Sequence, residues 1–182
     1  MKTRRRINLG KLLLMALFAV PLLGCSTPRV TDYAQQQPQL NLADYFNGRV
    51  VAHGLFQKRN GVVARRFTVV MDGQWQGNHG VLDETFYNDD GSTERRIWRL
   101  TQHPDGRFTG HADDVVGEAQ GQQSGNAFHW KYTLRLPVDG REYDVQFDDW
   151  MFLMDQRVML NRATMRKFGI NLGQVLLSFS KE

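Results

Sequence analysis

The sequence predicts an all-β protein, a meander of about eight to ten antiparallel strands closed into an up-and-down barrel. Three observations predict it. Asn-Gly and Asp-Gly pairs recur at Asn60-Gly61, Asp72-Gly73, Asp90-Gly91, Asp105-Gly106 and Asp139-Gly140. Such pairs supply the positive φ angles of tight hairpins. Between them apolar residues alternate with polar ones, most clearly Trp130, Tyr132, Leu134, Leu136 and Val138 against His129, Lys131, Thr133 and Arg135. A period of two puts one face in a core and the other in water. The third observation is length. A meander running through residues 41–182 has edges that invite other chains, and closing the sheet removes them. A two-sheet sandwich is the runner-up.

The elements follow in order. Residues 1–24 have the form of an export signal: a cationic start (Lys2, Arg4, Arg5, Arg6), an apolar stretch from Leu12 to Leu23, and a small residue at the end. The stretch is too short to span a bilayer comfortably. Leu22-Leu23-Gly24-Cys25 resembles the lipobox of bacterial lipoproteins. That resemblance implies cleavage after Gly24, a diacylglyceryl thioether on Cys25 and acylation of the new amine. Two or three chains of the palmitate kind hold firmly, at roughly 0.8 kcal/mol per buried CH₂. Ser26, where an Asp would retain the protein at the inner membrane, implies the periplasmic face of the outer membrane. Thr3-Arg4-Arg5-Arg6 faintly resembles a twin-arginine signal; Asn8 fits that pattern poorly, which favours the general secretory route.

Cleavage changes the charge. The full chain of 182 residues carries 23 basic and 19 acidic residues, a net +4. Five of the basic residues and none of the acidic ones precede residue 25, which leaves 18 against 19 and a mature charge of −1. Nucleic-acid binding is therefore not expected. The 158 residues that remain suit one domain. Cys25 is the only cysteine, so a disulfide scaffold and thiol catalysis in the domain are excluded.

Residues 25–40 are expected to be a flexible linker, with Pro28, Pro38 and a Gln35-Gln36-Gln37 run, and the barrel to fill residues 41–182. Leu42 to Phe46 is expected to make a short helical turn. Phe67, Val69 and Met71 alternate in one strand, Tyr143, Val145 and Phe147 in another, and Val175, Leu177 and Phe179 less cleanly near the end. The segment from Asp155 to Phe168 is ambiguous and is read as a strand. Gly77, Gly80, Gly110, Gly117 and Gly121 sit where barrel strands bend or bulge.

The phase of these strands selects candidate site residues. Asp114 shares a face with Phe108 and Ala112, Asp149 with Tyr143 and Phe147, Glu84 with Leu82 and Phe86, and Arg96 with Trp98 and Leu100. By the same count Arg162 points inward with Val158 and Leu160. Unpaired buried charge is costly, so inward acids and arginines should find one another. Three readings stand. The charges form an ion-pair network plugging one end; Arg96 or Arg162 forks onto a ligand carboxylate or phosphate; or Asp114 or Asp149 acts as general acid or base. The aromatics, Trp98, Trp130, Phe108 and Phe147 among them, are either plain core or the lining of an apolar cavity. The five histidines lack metal-ligand spacing, and neither a Walker loop nor a G-x-S-x-G elbow is present. Gly121 to Asn126 is glycine-rich, yet no helix pattern follows it to present a phosphate. No metal and no cofactor are expected.

A set of short motifs resembles a family of Gram-negative lipoproteins known as domain of unknown function 3833. They are Phe46-Asn47-Gly48, Gly110-His111-Ala112-Asp113-Asp114-Val115-Val116-Gly117, Gly125-Asn126-Ala127, Asp148-Asp149-Trp150-Met151, Asn161-Arg162 and Lys167-Phe168-Gly169. The likeness covers roughly residues 40–181. It implies an envelope lipoprotein with a lipocalin-like body and points to a lipid ligand. Gly48-Arg49-Val50 lacks the Gly-x-Trp of the lipocalins proper. The expected function is therefore an outer-membrane-anchored, monomeric module that binds or carries a lipid, a fatty acid or another apolar molecule. The alternatives are an assembly partner of the envelope and an Asp-dependent enzyme acting on a lipid.

Overall fold

Ten strands run up and down: β1 (Gly48–Lys58), β2 (Val63–Gln76), β3 (His79–Asn88), β4 (Thr93–Gln102), β5 (Arg107–His111), β6 (Ala119–Ser124), β7 (Ala127–Val138), β8 (Arg141–Leu153), β9 (Val158–Lys167) and β10 (Ile170–Lys181). The structure, a computed structural model, describes residues 27–182; the expected signal peptide and Cys25 lie outside the described residues. Each strand pairs antiparallel with its sequence neighbours, and β1 also pairs with β10 to close the barrel. Ala52 sits in register between Val69 of β2 and Phe179 of β10, both buried. The barrel and its hairpins thus agree with the alternation and turn chemistry of the sequence.

The turns fall into two rings. One end, here the mouth, carries residues 59–62, 89–92, 112–118, 139–140 and 168–169; the other, the floor, carries 77–78, 103–106, 125–126 and 154–157. Four of the five expected Asn-Gly and Asp-Gly turns are present. Asp72-Gly73 is not a turn but lies inside β2, and the chain reverses at Gly77-Asn78. Gly73 is required for another reason. A Cβ there would overlap the backbone carbonyl of Phe46, which crosses the floor at this point.

That crossing belongs to α1 (Leu42–Tyr45), the expected helical turn. Leu42, Tyr45 and Phe46 are buried and join Val50, Met71, Phe108, Phe128, Leu153, Met159 and Phe179 in the main core. Hydrogen bonds fasten the plug. Asn41 Oδ1 accepts from the Asp44 amide, Leu42 N donates to Gln123 Oε1, and Tyr45 Oη donates to the Arg157 carbonyl. The Lys181 ammonium, at the end of β10, donates to the carbonyls of Asp44, Tyr45 and Asn47 at 2.9, 2.7 and 2.8 Å.

The linker expectation needs correcting. Residues 27–40 lie against the barrel, with a 3-10 turn at Val30–Tyr33. Val30 and Leu40 are 6 % and 5 % exposed. Val30 packs with Ala127 and Trp150 on the outer wall, and Tyr33 stacks near Trp150 and Phe152. The segment is polar on average, but a few apolar residues suffice: Val30 and Tyr33 take a small apolar seat on the outer faces of β7 and β8, and Leu40 joins the main core.

Candidate functional site

The barrel is hollow. A cavity of about 810 Å³ runs through it, within the range of about 300–1,000 Å³ typical of small-molecule sites. Its lower lining is buried: Leu42, Phe46, Phe108 and Phe128. Its upper lining is exposed: Ala64, Arg65, Glu94, Pro137, Val138 and Leu172. The cavity is therefore closed at the floor by α1 and open at the mouth. Exposed apolar side chains surround that mouth, with Phe168 at 87 %, Ile170 at 56 % and Val62 at 54 %.

Glycine notches shape the lower half. A Cβ on Gly80 would sit 2.5 Å from the Trp75 ring, and one on Gly110 2.7 Å from Leu100 and 3.1 Å from Trp130. Gly121 makes room for Trp130 in the same way. Three of the five glycines expected at bends, Gly80, Gly110 and Gly121, thus let large indoles turn inward, whereas Gly77 and Gly117 serve turns at positive φ. Trp98 and Trp130 meet edge to face with ring centroids 5.8 Å apart, and Trp98 meets Tyr132 at 5.5 Å. Tyr132 stacks on Phe147 at 5.0 Å, and Phe108 meets Phe128 edge to face at 5.5 Å. Trp98, Trp130, Phe108 and Phe147 all line the cavity, so they are core and lining at once.

A polar belt interrupts this apolar wall at mid-height. Arg96 of β4 lies beside Glu84 of β3 in register, 3.8 Å between charged atoms. Its guanidinium forks onto Asp114, with Nε donating at 3.0 Å and Nη2 at 2.7 Å to Oδ2. Across the barrel Asp149 of β8, 4 % exposed, accepts from Tyr132 Oη at 3.1 Å and from Asn161 Nδ2. Asn161 is equally buried, and its Oδ1 has no partner among the described residues.

The electrostatics follow from this geometry. Burial pushes Glu84 up to about 7, helped by Asp114 and Asp149 and opposed by Arg96. Burial also pushes Asp149 up to about 7, against the lowering effect of its bonds from Tyr132 and Asn161. Tyr132 is raised well above the ordinary phenol range, first by burial and then by the Asp149 charge. Asp148, on the outer face, behaves oppositely. Burial alone would raise it, but His129, with Nε2 2.9 Å away, and the charges of Lys131 and Arg166 hold it below the usual carboxylate range.

The expected residues sort as follows. Arg96 and Asp149 point into the barrel as their phase predicts, and so does Glu84. Asp114 reaches Arg96, but from the loop after β5 rather than from a strand. Arg162 is a correction. It is exposed on the outer face, and Met159, Asn161, Ala163 and Met165 take the inner one. The phase misled because β9 is apolar on both sides. Val158 and Leu160 lie on the outer side, and Leu160 faces a groove shared with Leu55, Phe152 and Leu176. Sequence reasoning also left Tyr132 and Asn161 out of the candidate site. Tyr132 stood in the clearest alternating run, and its hydroxyl needed a buried partner; nothing comparable singled out Asn161. Among the described residues no three His, Cys, Asp or Glu side chains are grouped to hold a metal ion.

Comparison with solved structures shows the fold. The barrel is similar to an S-type phycobiliprotein lyase from Guillardia theta, with a TM-score of 0.59 and 6 % identity over 77 % of this chain and 90 % of that one. It is also similar to a DUF3598-family protein of unknown function from Nostoc punctiforme, with a TM-score of 0.56 and 12 % identity. That match covers 87 % of this chain but 53 % of the Nostoc protein, so the chain spans about half its length. Among curated proteins nothing matches the sequence. The ten strands form a lipocalin-like barrel, and the family resemblance carried by the short motifs holds: over residues 19–181 the sequence fits the family described as Protein of unknown function (DUF3833), and the chain belongs to that family.

Proposed function

We propose that this protein is a lipid-anchored binding module of the periplasmic face of the outer membrane, which holds or carries an amphiphile in its barrel as a monomer. The observation that supports the reading is the cavity of about 810 Å³, walled by aromatic and aliphatic side chains, shut at the floor and open at a mouth edged with exposed apolar residues. A solid core of the same size would have no use for such a mouth. An apolar chain lying against Phe67, Phe86, Leu134, Val175 and Leu177 would be drawn in by roughly 25 cal/mol per Å² of surface removed from water. Anchoring rests on the lipobox resemblance at Cys25, and the Ser26 position supports the outer membrane.

Native mass spectrometry of the domain released gently from membranes tests the cavity. The expected result is a co-purifying amphiphile that leaves on delipidation. Repeated recovery of the bare polypeptide mass would contradict the reading. Radiolabelled palmitate should enter the wild-type protein and not the Cys25→Ser variant.

A second reading, an enzyme acting on a lipid, draws on Asp149. A buried carboxyl pushed up to about 7 is near the range a general acid or base needs. It has Tyr132 as a partner but no nucleophile beside it among the described residues. Asp149→Asn should leave amphiphile binding measurable; turnover lost in that variant with folding intact would favour the enzyme.

A further inference from the structure

We propose that the polar end of the bound amphiphile is an uncharged or cationic hydrogen-bond donor, an ammonium or hydroxyl headgroup, seated at Asp149 and Asn161, and that the site rejects carboxylate and phosphate. The inference rests on the reading that the cavity holds an amphiphile, and it names which kind.

Four observations carry it. First, the cations are spent. Among the described residues, Arg65 and Arg96 are the only Lys or Arg side chains lining the cavity. Arg96 makes three hydrogen bonds to Asp114 and faces Glu84. Arg65 lies half-exposed at the mouth, 3.2 Å from Glu94. Neither is left to fork onto a ligand anion. Second, the belt has more acid than base, with Glu84, Asp114 and Asp149 against Arg96 alone. An anionic headgroup there would add like charge in a poorly solvated place. Third, the donors are committed. Tyr132 Oη donates a hydrogen bond to Asp149, and Asn161 Nδ2 donates to the same carboxylate. Fourth, an acceptor is left over. Asn161 Oδ1 is buried beside the cavity without a partner, and a buried acceptor without a donor costs about 1–3 kcal/mol. A ligand O–H or N–H would satisfy it and could share Asp149. Burial pushes Asp149 up, and no cation stands beside it to offset that push.

The test is a matched series on the delipidated, full-length domain at pH 7.5: dodecylamine, 1-monolauroylglycerol and laurate, each below its aggregation concentration, competing with a bound fluorescent apolar probe. The amine or the glyceride is expected to displace the probe at a concentration at least tenfold below that of laurate. The stronger of the two tells whether the headgroup is cationic or neutral. In Asn161→Leu and in Asp149→Asn, each checked for an unchanged melting curve, the margin should shrink to about twofold. Laurate binding as tightly as the others in the wild type would overturn the inference and leave the amphiphile reading standing. Failure of all three to displace the probe would overturn both. A margin untouched in the folded variants would place the discrimination elsewhere and also overturn it.

Discussion

At the residue scale, Arg96 holds two acids in one barrel. It pairs with Glu84 across β3 and β4 and captures the Asp114 side chain from the loop after β5. Removing one partner of a buried ion pair is strongly destabilising because the other is stranded. Arg96→Met should therefore lower stability by roughly 3 kcal/mol, the low end for a pair that is not fully buried, in chemical denaturation. Glu84→Gln should cost far less, because Glu84 is already easy to protonate. Much of this belt was legible in the sequence. Strict alternation along β3, β4 and β8 turns Glu84, Arg96 and Asp149 inward. Two things hid the rest. Asp114 acts from a loop, where phase has no meaning. Arg162 and Asn161 exchange roles because β9 is greasy on both faces, and hydrophobicity alone cannot say which face is the core.

At the scale of elements, the floor and the mouth are built differently. The floor depends on α1 lying flat across the barrel, and Gly73 and Lys181 hold it there. A methyl group at residue 73 would push against backbone rather than a flexible side chain. Gly73→Ala is expected to cost more than about 2 kcal/mol, read as a fall in the denaturation midpoint. The sequence pointed to a turn at Asp72-Gly73 because the dipeptide is a strong turn signal; it gave no sign that a distant carbonyl needed the space. Residues 25–40 read as a tether for a similar reason, since composition does not register well-placed apolar anchors such as Val30 and Leu40. The mouth offers the opposite case. Phe168 is 87 % exposed and adopts φ of 51°, a left-handed conformation that a bulky residue holds at a cost. Little in the folded structure offsets that cost, which suits a side chain kept for contact with something outside. Phe168→Asn should raise stability by roughly 0.5–1 kcal/mol and slow transfer of a fluorescent amphiphile from vesicles to the barrel. Transfer at the wild-type rate would remove Phe168 from the account.

At the scale of the whole molecule, closure of β1 onto β10 leaves an interior large enough to be hollow and too dry for its acids. The pH dependence has a definite sign. Unfolded, Glu84 and Asp149 ionise near 4.5 and 3.8; folded, both are pushed up to about 7. The native state holds more protons between those values, so the stability these groups contribute is present at low pH and lost as pH rises towards 7 and above. The limit is about 1.4 kcal/mol per pH unit for each group. The melting temperature of Glu84→Gln/Asp149→Asn relative to wild type should therefore rise by at least about 3 °C between pH 5 and pH 8. A constant difference would mean that water reaches the belt freely.

Fluorescence quenching by an amphiphile brominated along its chain probes the hollow interior most directly, because Trp98 and Trp130 line the cavity whereas Trp150 packs against the outer wall. The account predicts saturable quenching at one amphiphile per protein, largely abolished in Trp98→Phe/Trp130→Phe. Quenching that never saturates, or that persists undiminished in that variant, would place the amphiphile on the outside and contradict a barrel built to enclose it.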